Sequence, residues 1–319
     1  MIKADGYGLG AAGAARALAE AGARVFFTAT TGEALEARRV LGDAVKILVL
    51  NGPSADDLDA FDAARLTPVL NSMAQIALWA GRAPAALHID TGMNRLGIGP
   101  DEMAAASAAL KDQTLVLVMS HLACASNLAH EMNYRQCIRF IDAAKAFPSA
   151  PLSLAATAGA LIGPDFHFDM IRPGVGLYGS GGLDADNPKL SAAATIQAPI
   201  LQVREVAAGE TFGYGGTAKA AKPMRAATAA IGYADGFLRS ASGRGYGVLA
   251  GVRCPLLGRV SMDLLILDVS ACPDARAGAM VEFLGANALL DDVAAEFGTA
   301  SYEVLTTFAG TVRKAGGGA

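Results

Sequence analysis

The sequence predicts an α/β fold, a (β/α)8 TIM-type barrel followed by a smaller, mainly β C-terminal domain. Three observations carry this. Short β-branched or aromatic runs alternate with helix-forming stretches from the N-terminus to Arg172. Eight strand positions can be counted along that stretch, which suits a closed barrel better than an open doubly wound sheet. After Gly179 the alternation stops, and strand-like runs separated by glycine turns take over. The predicted domains are 1–185 for the barrel and 190–313 for the β-rich unit. The Gly-, Asp-, Asn- and Pro-rich segment Ser180–Lys189 reads as a linker between them.

The elements follow in order. Leu9–Ala23 is alanine-rich and helix-forming despite its glycines. Strand Val25–Thr28 and helix Gly32–Leu41 come next, then strand Lys46–Leu50 and helix Ala55–Leu66. Strand Thr67–Leu70 leads to helix Met73–Gly81 and strand Ala86–Asp90. Helix Pro100–Leu110 opens with proline at a first helical position and with Asp101 and Glu102 at its positive end. Strand Leu115–Ser120 precedes the longest helix, Asn127–Phe147. Strands Leu152–Ala156 and Asp169–Arg172 close the series. The strand that should lead into Lys3 has only Met1 and Ile2, so the N-terminus reads as truncated; a missing stave would expose backbone hydrogen-bonding groups beside the lysine. In the second domain strands are expected at Ala193–Val203, Ala226–Tyr233, Tyr246–Ala250, Arg253–Leu257, Leu264–Val269 and Met280–Leu284. Helix Leu289–Phe297 and the YEVLTTF segment follow, and the KAGGGA tail is expected to be disordered.

Composition narrows the function. The 319 residues carry 26 basic and 30 acidic side chains, a net charge of −4, with no basic block. That argues against a nucleic-acid partner. No apolar run is long enough to span a membrane, and the N-terminus has no signal pattern. Cys124, Cys137, Cys254 and Cys272 lie far apart in apolar segments. They indicate neither a disulfide framework nor a metal site, and reduced thiols point to the cytoplasm.

In such a barrel, chemistry gathers where the strands end. Those ends hold Lys3, the DTGMNR loop with Arg95, His121, Thr157 and Arg172. A lysine can form a Schiff base with an aldehyde cofactor. Thr157 and the amides of Gly174, Val175 and Gly176 fall in the last two loops, where barrels of this kind bind phosphate. Lysine and phosphate site on one rim point to pyridoxal 5'-phosphate. Each residue also has a plainer reading. His121 could be a satisfied core histidine, Arg95 a solvated loop charge, and Arg172 a partner of Asp165 or Asp169. Their joint occurrence on successive strand ends favours the site.

The motifs KADGYGLG, HIDTGMNRLG, SHLACA, IRPGVGLYG, FGYGGT, IGYADGF and GRVSMD, in this order, resemble those of the alanine racemases, fold-type III pyridoxal phosphate enzymes. The resemblance runs from Lys3 to about Thr306. It implies a homodimer with shared active sites that interconverts L-alanine and D-alanine, supplying D-alanine for peptidoglycan. Lys3 would carry the cofactor and, once released, act as base on one face. Tyr7, Thr157, Gly174 and Val175 would hold the phosphate. Arg172 would face the pyridine nitrogen and His121 would lie by the ring. Tyr214 of the second subunit would be the opposite base; a phenol is a weak acid, so it needs cationic neighbours such as the His121–Arg172 chain. Arg95 and Met262 would meet the substrate, with Tyr233 and Asp263 at the entrance.

Two departures from the family pattern stand out. His88 occupies the position where many relatives have a carbamylated lysine that steadies the arginine, so Arg95 must be held otherwise, by an anion or by Asn94. A tyrosine that relatives place beyond Tyr302 is missing from YEVLTTFAGTVRK. Other readings are a broader-specificity amino-acid racemase, a related decarboxylase, a non-catalytic pyridoxal phosphate-binding protein, or a truncated chain that folds poorly. A decarboxylase does not need Tyr214 and generally sets an acidic partner at the ring nitrogen.

Overall fold

A computed structural model of the protein describes residues 1–308. The KAGGGA tail, the expected domain end at 313 and the site of the missing tyrosine lie outside the described residues. The chain divides into two compact units, Met1–Gly176 with Gly181–Asn187, and Leu177–Ser180 with Pro188–Ala319. The boundary between the two units, between Asn187 and Pro188, falls inside the stretch read as a linker, Ser180–Lys189. Gly181–Asn187 folds onto the first unit, where the Asp184 amide donates to the Ser126 carbonyl at 3.0 Å.

The first unit is built on six parallel strands in sequential order: β1 Val25–Thr28, β2 Lys46–Val49, β3 Thr67–Leu70, β4 Ala85–His88, β5 Leu115–Met119 and β6 Leu152–Ser153. Successive strand side chains point to opposite faces. Phe27, Leu48, Val69, Ala86, Leu117 and Met119 accordingly pack into one buried cluster, filling the barrel interior. Their neighbours Phe26, Ile47, Val49, Leu70, Leu87 and Val118 pack outward with the helices. An interior layer of side chains makes this a packed core rather than a pore.

Helix starts follow the local chemistry. Thr30 and Glu33 form a capping box at the helix Thr31–Leu41, and Ser72 caps Met73–Trp79 by accepting from the Gln75 amide. Such caps satisfy amides that otherwise lack partners. The longest helix runs Glu131–Ala144, shorter than expected, because Asn127–His130 forms a turn ahead of it.

The expected strand Asp169–Arg172 is not one. Its backbone meets the sheet only through Asp169 N to Leu152 O (3.1 Å) and Arg172 N to Ala155 O (2.9 Å). The Asp169 carboxylate also takes the Leu152 amide, and Ser153 Oγ takes up the Met170 carbonyl by donating to it. Side chains thus occupy ladder positions that a regular strand would fill with backbone. At the other edge the stub before Lys3 does pair. Ile2 N donates to Phe27 O at 3.0 Å, and the Met1 amino group donates to Pro173 O at 3.1 Å. These single bonds carry the ring from β6 through 169–173 and Met1–Ile2 to β1.

The second unit is antiparallel. Its six strands lie in the order β12 (Val252–Pro255), β11 (Tyr246–Leu249), β14 (Met280–Leu284), β7 (Ile196–Val206), β10 (Met224–Ala229) and β13 (Leu265–Asp268). β7 pairs β14 through its first half and β10 through its second, so one strand joins both halves of the sheet. A small hairpin, β8 (Thr211–Phe212) and β9 (Ala218–Lys219), brackets Tyr214. Phe237 packs on Phe283 and Phe297, tying the helix Leu290–Phe297 to the sheet. The YEVLTTF segment forms the helix Ser301–Thr307. Among the described residues, no helix is long and apolar enough to cross a membrane.

Candidate active site

Lys3 opens a turn of unusual backbone. Ala4, Asp5, Gly6 and Tyr7 all have positive φ, at 52°, 50°, 64° and 58°. Left-handed conformations cost an ordinary residue about 1–3 kcal/mol each, so the surroundings must hold them. Asp5 does part of this: its carboxylate accepts from Ala11 N at 2.7 Å and its carbonyl from Gly10 N at 2.8 Å. Glu33 takes the Ala4 amide at 2.8 Å. A β-carbon on Gly6 would crowd the Ala11 backbone. The turn places Lys3 at the rim and packs the buried Tyr7 against Gly174.

Burial lowers the basicity of the Lys3 amine below that of an ordinary lysine. The positive charge of Arg95 lowers it further, against a smaller opposing effect of Glu33. A less basic amine is neutral more of the time, and the neutral form is the nucleophile and the proton acceptor.

Arg95 rides on a loop fixed from below. The Asp90 carboxylate accepts from three successive amides, Gly92, Met93 and Asn94, at 2.8–2.9 Å. Ile98 N donates to His88 O at 2.8 Å, closing the loop on β4. Among the described residues the Arg95 guanidinium has no hydrogen bond or ion pair, so Asn94 does not hold it.

Arg172 is 2% exposed and makes no ion pair with Asp165 or Asp169. Nη1 donates to Ser153 Oγ at 2.6 Å, and Nη2 to the carbonyls of Ser120 (2.5 Å) and Leu154 (3.2 Å). Burial depresses its pKa to about 9, which still leaves it charged at neutral pH. Its Nε is buried and has no hydrogen-bond partner among the described residues. An unpaired buried donor on a charged group is costly. This one suits a bound acceptor such as a ring nitrogen.

His121 Nδ1 lies 3.4 Å from Arg172 Nη2. Burial first, then the charges of Arg172, Arg95, His88 and Lys3, push its pKa down to about 3, so the ring is neutral at physiological pH. It belongs to the rim cluster rather than to the core. His88 is buried at the end of β4, bonded through Nδ1 to Asn71 Oδ1 at 2.8 Å. Burial and the charges of Arg172 and Arg95 lower its pKa to about 4, outweighing Asp90.

The loops read as phosphate-binding also come together. Thr157 Oγ1 accepts from Gly174 N at 2.9 Å and from Gly176 N at 3.1 Å. A β-carbon on Gly174 would collide with the Tyr7 hydroxyl, and one on Gly176 with the Thr157 methyl. Only glycine lets the three strand-end loops close to this distance. Val175 between them is fully buried. Hydroxyl, phenol and backbone amides at one point suit a phosphate monoester. The residues present thus fit pyridoxal phosphate at both its ring nitrogen and its phosphate.

The remaining residues lie in the second unit. Tyr214 sits in a turn, 70% exposed; Met262 is 53% exposed and Tyr233 42%. Tyr233 N donates to Ser261 O and Ala234 N to Met262 O, which joins the IGYADG and GRVSMD turns. Asp263 is exposed beside them. The backbone of Gly213 and Gly215 packs on Arg259, which brings the Tyr214 turn to the same turn pair.

Sequence reasoning missed the anchors. Ser153, whose hydroxyl holds Arg172, and Asn71, which holds His88, lie in none of the motifs, and Ser120 opens SHLACA but acts through its carbonyl; each lies on or just after a strand, a place that could have drawn notice. Asp90 was more readable, since Asp-x-Gly is an Asx-turn signature.

Comparison with known proteins agrees along almost the whole chain. Residues 1–181 match the family model described as alanine racemase, N-terminal domain, and residues 193–315 the model for the alanine racemase C-terminal domain. The chain is 45% identical to the alanine racemase of Rhodospirillum rubrum over 96% of its own length and 85% of that protein. It is 42% identical to the catabolic alanine racemase of Agrobacterium fabrum, over 96% and 82%. Among solved structures it resembles the biosynthetic alanine racemase from Pseudomonas aeruginosa, with TM-score 0.90 and 36% identity over 97% of this chain and 89% of that one. The alanine racemase from Bartonella henselae with covalently bound pyridoxal phosphate gives TM-score 0.89 and 33% identity over the same shares.

Proposed function

The chain belongs to the alanine racemase family, and we propose that it works with two bases, Lys3 on one face of the substrate α-carbon and Tyr214 of a second copy on the other. It is a pyridoxal phosphate-dependent isomerase that interconverts L-alanine and D-alanine. When bound, pyridoxal phosphate supplies an aldehyde that joins amines covalently and a ring that draws electrons from the bond between the α-carbon and its hydrogen. The observation that carries the assignment is the buried, partnerless Nε of Arg172 on the same rim as Lys3 and the Thr157–Gly174 cradle.

Each residue then has a task. Lys3 anchors the cofactor and, once displaced by substrate, holds or accepts the proton on its face; its lowered basicity serves both tasks. Arg172 donates toward the ring nitrogen. A guanidinium does not readily give up its proton, so Arg172 would leave that nitrogen unprotonated and the bound ring a moderate electron sink. This restrains side reactions such as transamination. Tyr7, Thr157 and the Gly174 and Val175 amides hold the phosphate, His121 lies by the ring, and Arg95 meets the substrate carboxylate. Tyr214, with Met262, Tyr233 and Asp263, comes from the other subunit of a homodimer with shared sites. Their exposure in the single chain supports this. The role extends to supplying D-alanine for peptidoglycan in the cytoplasm.

The test is L-alanine with the purified enzyme in deuterated water. Deuterium at the α-carbon together with D-alanine supports two bases. Exchange with retained configuration removes Tyr214 from the scheme, and release of carbon dioxide replaces racemisation with decarboxylation.

A further inference from the structure

We propose that Cys254 and Cys272 form a redox modification site: a two-electron oxidant of the hydroperoxide class joins their sulfurs and so locks the GRVSMD turn. Of the four cysteines, Cys124 and Cys137 lie in the first unit, and Cys254 and Cys272 in the second. The sequence parts the second pair by a turn and a whole strand, yet the fold sets Cys254 Sγ 3.3 Å from Cys272 Sγ. Both are free thiols, 0% and 3% exposed. A disulfide holds its sulfurs about 2.0 Å apart, so the two need approach by only about one ångström more.

The backbone on each side is held for this step. Cys254 stands in β12, opposite Gly247 of β11. Cys272 follows β13 in a turn closed by its own amide on the Val269 carbonyl at 2.9 Å. Arg225 pins that turn, donating from Nη1 to the Cys272 carbonyl at 2.9 Å and from Nη2 to the Ala275 carbonyl at 3.0 Å. Between the two cysteines the chain makes one hairpin. Leu257 N donates to Ile266 O at 2.7 Å, and Leu256 bridges Leu267. Residues 258–264, beyond these rungs, form the loop that carries Arg259, Ser261 and Met262. The sulfur pair therefore stands at the base of the hairpin whose tip packs on the Tyr214 and Tyr233 turns. A bond there closes the hairpin into a ring and removes freedom from its opened states.

The step balances with the peroxide alone. One thiol sulfur attacks the O–O bond, becomes a sulfenic acid and releases water. The second sulfur then attacks the first; the departing hydroxyl leaves with the remaining thiol proton as a second water, and the S–S bond forms. Two electrons pass from the sulfurs to the peroxide oxygens. Burial first, then the hydrogen bond with Cys272, pushes the Cys254 thiol up to about 12, so Cys254 rests as the thiol and reacts slowly.

Holoenzyme treated with hydrogen peroxide and digested with trypsin without reductant tests the site. Cleavage after Arg253, Arg259 and Arg276 yields peptides 254–259 and 260–276, each with one of the two cysteines. They are expected as one linked species, two hydrogens lighter than their sum, which dithiothreitol parts. Untouched thiols, sulfinic acid at either position, or a link to Cys124, Cys137 or a second chain overturns the proposal. In the linked holoenzyme, amides of residues 258–264 are expected to exchange about tenfold more slowly than in the reduced form. The thermal midpoint should rise by about 5 °C. Unchanged exchange in linked protein defeats the lock on the turn. Cys272→Ser keeps a small hydrogen-bonding side chain and should lose both responses to peroxide. The same slowing in that variant assigns it to methionine oxidation and ends the proposal.

Discussion

The barrel rim and the exposed turns of the second unit both hold chemistry-bearing residues, but in opposite conditions. On the rim most such groups are packed and bonded: Arg172 by a serine and two carbonyls, His88 by Asn71, Thr157 by two amides. Tyr214, Tyr233 and Met262 stand largely in solvent. The rim is preorganised by its own chain, whereas the turns carry apolar and phenolic surface that nothing in their own unit covers. Exposed apolar residues on adjoining turns are the kind of surface that the proposed second copy would cover. On the two-base proposal, half of the site would be a folding product and the other half an assembly product.

Substitutions should respect that division. The largest effect belongs to Lys3→Ala, which removes the side chain proposed to anchor the cofactor covalently. Activity should fall by about 10^4-fold or more, and borohydride reduction followed by mass spectrometry should find no cofactor attached to the chain. A normal covalent adduct in that variant would displace Lys3 from its role. Tyr214→Phe should come second, with turnover lower by about 10^2- to 10^4-fold. Because Tyr214 is exposed, its thermal midpoint and bound cofactor should match the parent. Loss of stability alongside activity would mean that the turn is part of the fold, and the contrast with the rim would fail. Gly174→Ala should act in the reverse sense. Its β-carbon would push into the Tyr7 hydroxyl, so cofactor affinity should drop by about tenfold or more, with the amino-acid KM of the loaded enzyme little changed. Adding Tyr7→Phe relieves part of the collision. The double variant should therefore bind cofactor better than two independent losses predict.

How much of this was legible depends on where the information resides. Strand periodicity and turn residues are local, so Val25–Thr28, Thr67–Leu70 and Met280–Leu284 stand where the sequence places them. The rim residues could be read because a barrel brings strand ends together whatever lies between. Asp169–Arg172 misled because its apolar run suits a strand, while its backbone partners are taken over by the side chains of Asp169 and Ser153. That outcome depends on residues far apart in the chain. The same holds for Asn71 and His88: nothing in either stretch announces a hydrogen bond between the ends of β3 and β4. Ser180–Lys189 looked like a linker by composition, but the backbone bond from Asp184 to Ser126 binds part of it to the first unit.

The smallest effect is the one that separates the two units by pH. All four histidines lie in the first unit, two of them with strongly lowered pKa: His88 at about 4 and His121 at about 3. Burial is the main cause for each. Between those values and the ordinary 6.5 the unfolded chain binds protons that the folded chain refuses. Stability is thus complete above pH 6.5 and declines as the pH falls toward 4, by about 3 kcal/mol for buried His88. The second unit carries the opposite sign. Burial raises Tyr178 to about 12, so its stabilising contribution is complete below pH 10 and is lost as the pH rises toward 12. Buried Tyr246 is raised as well. Hydrogen exchange read by mass spectrometry, with rates corrected for their intrinsic pH dependence, should show protection falling first in β1–β6 at pH 5 and first in β7–β14 at pH 10.5. His88→Gln should reduce the acid response of the barrel, leaving the part due to His121, and leave the alkaline response of the sheet unchanged. A parallel loss in both units at either extreme would mean that they unfold as one cooperative body, and the division between a self-sufficient rim and a dependent surface would then have no energetic counterpart.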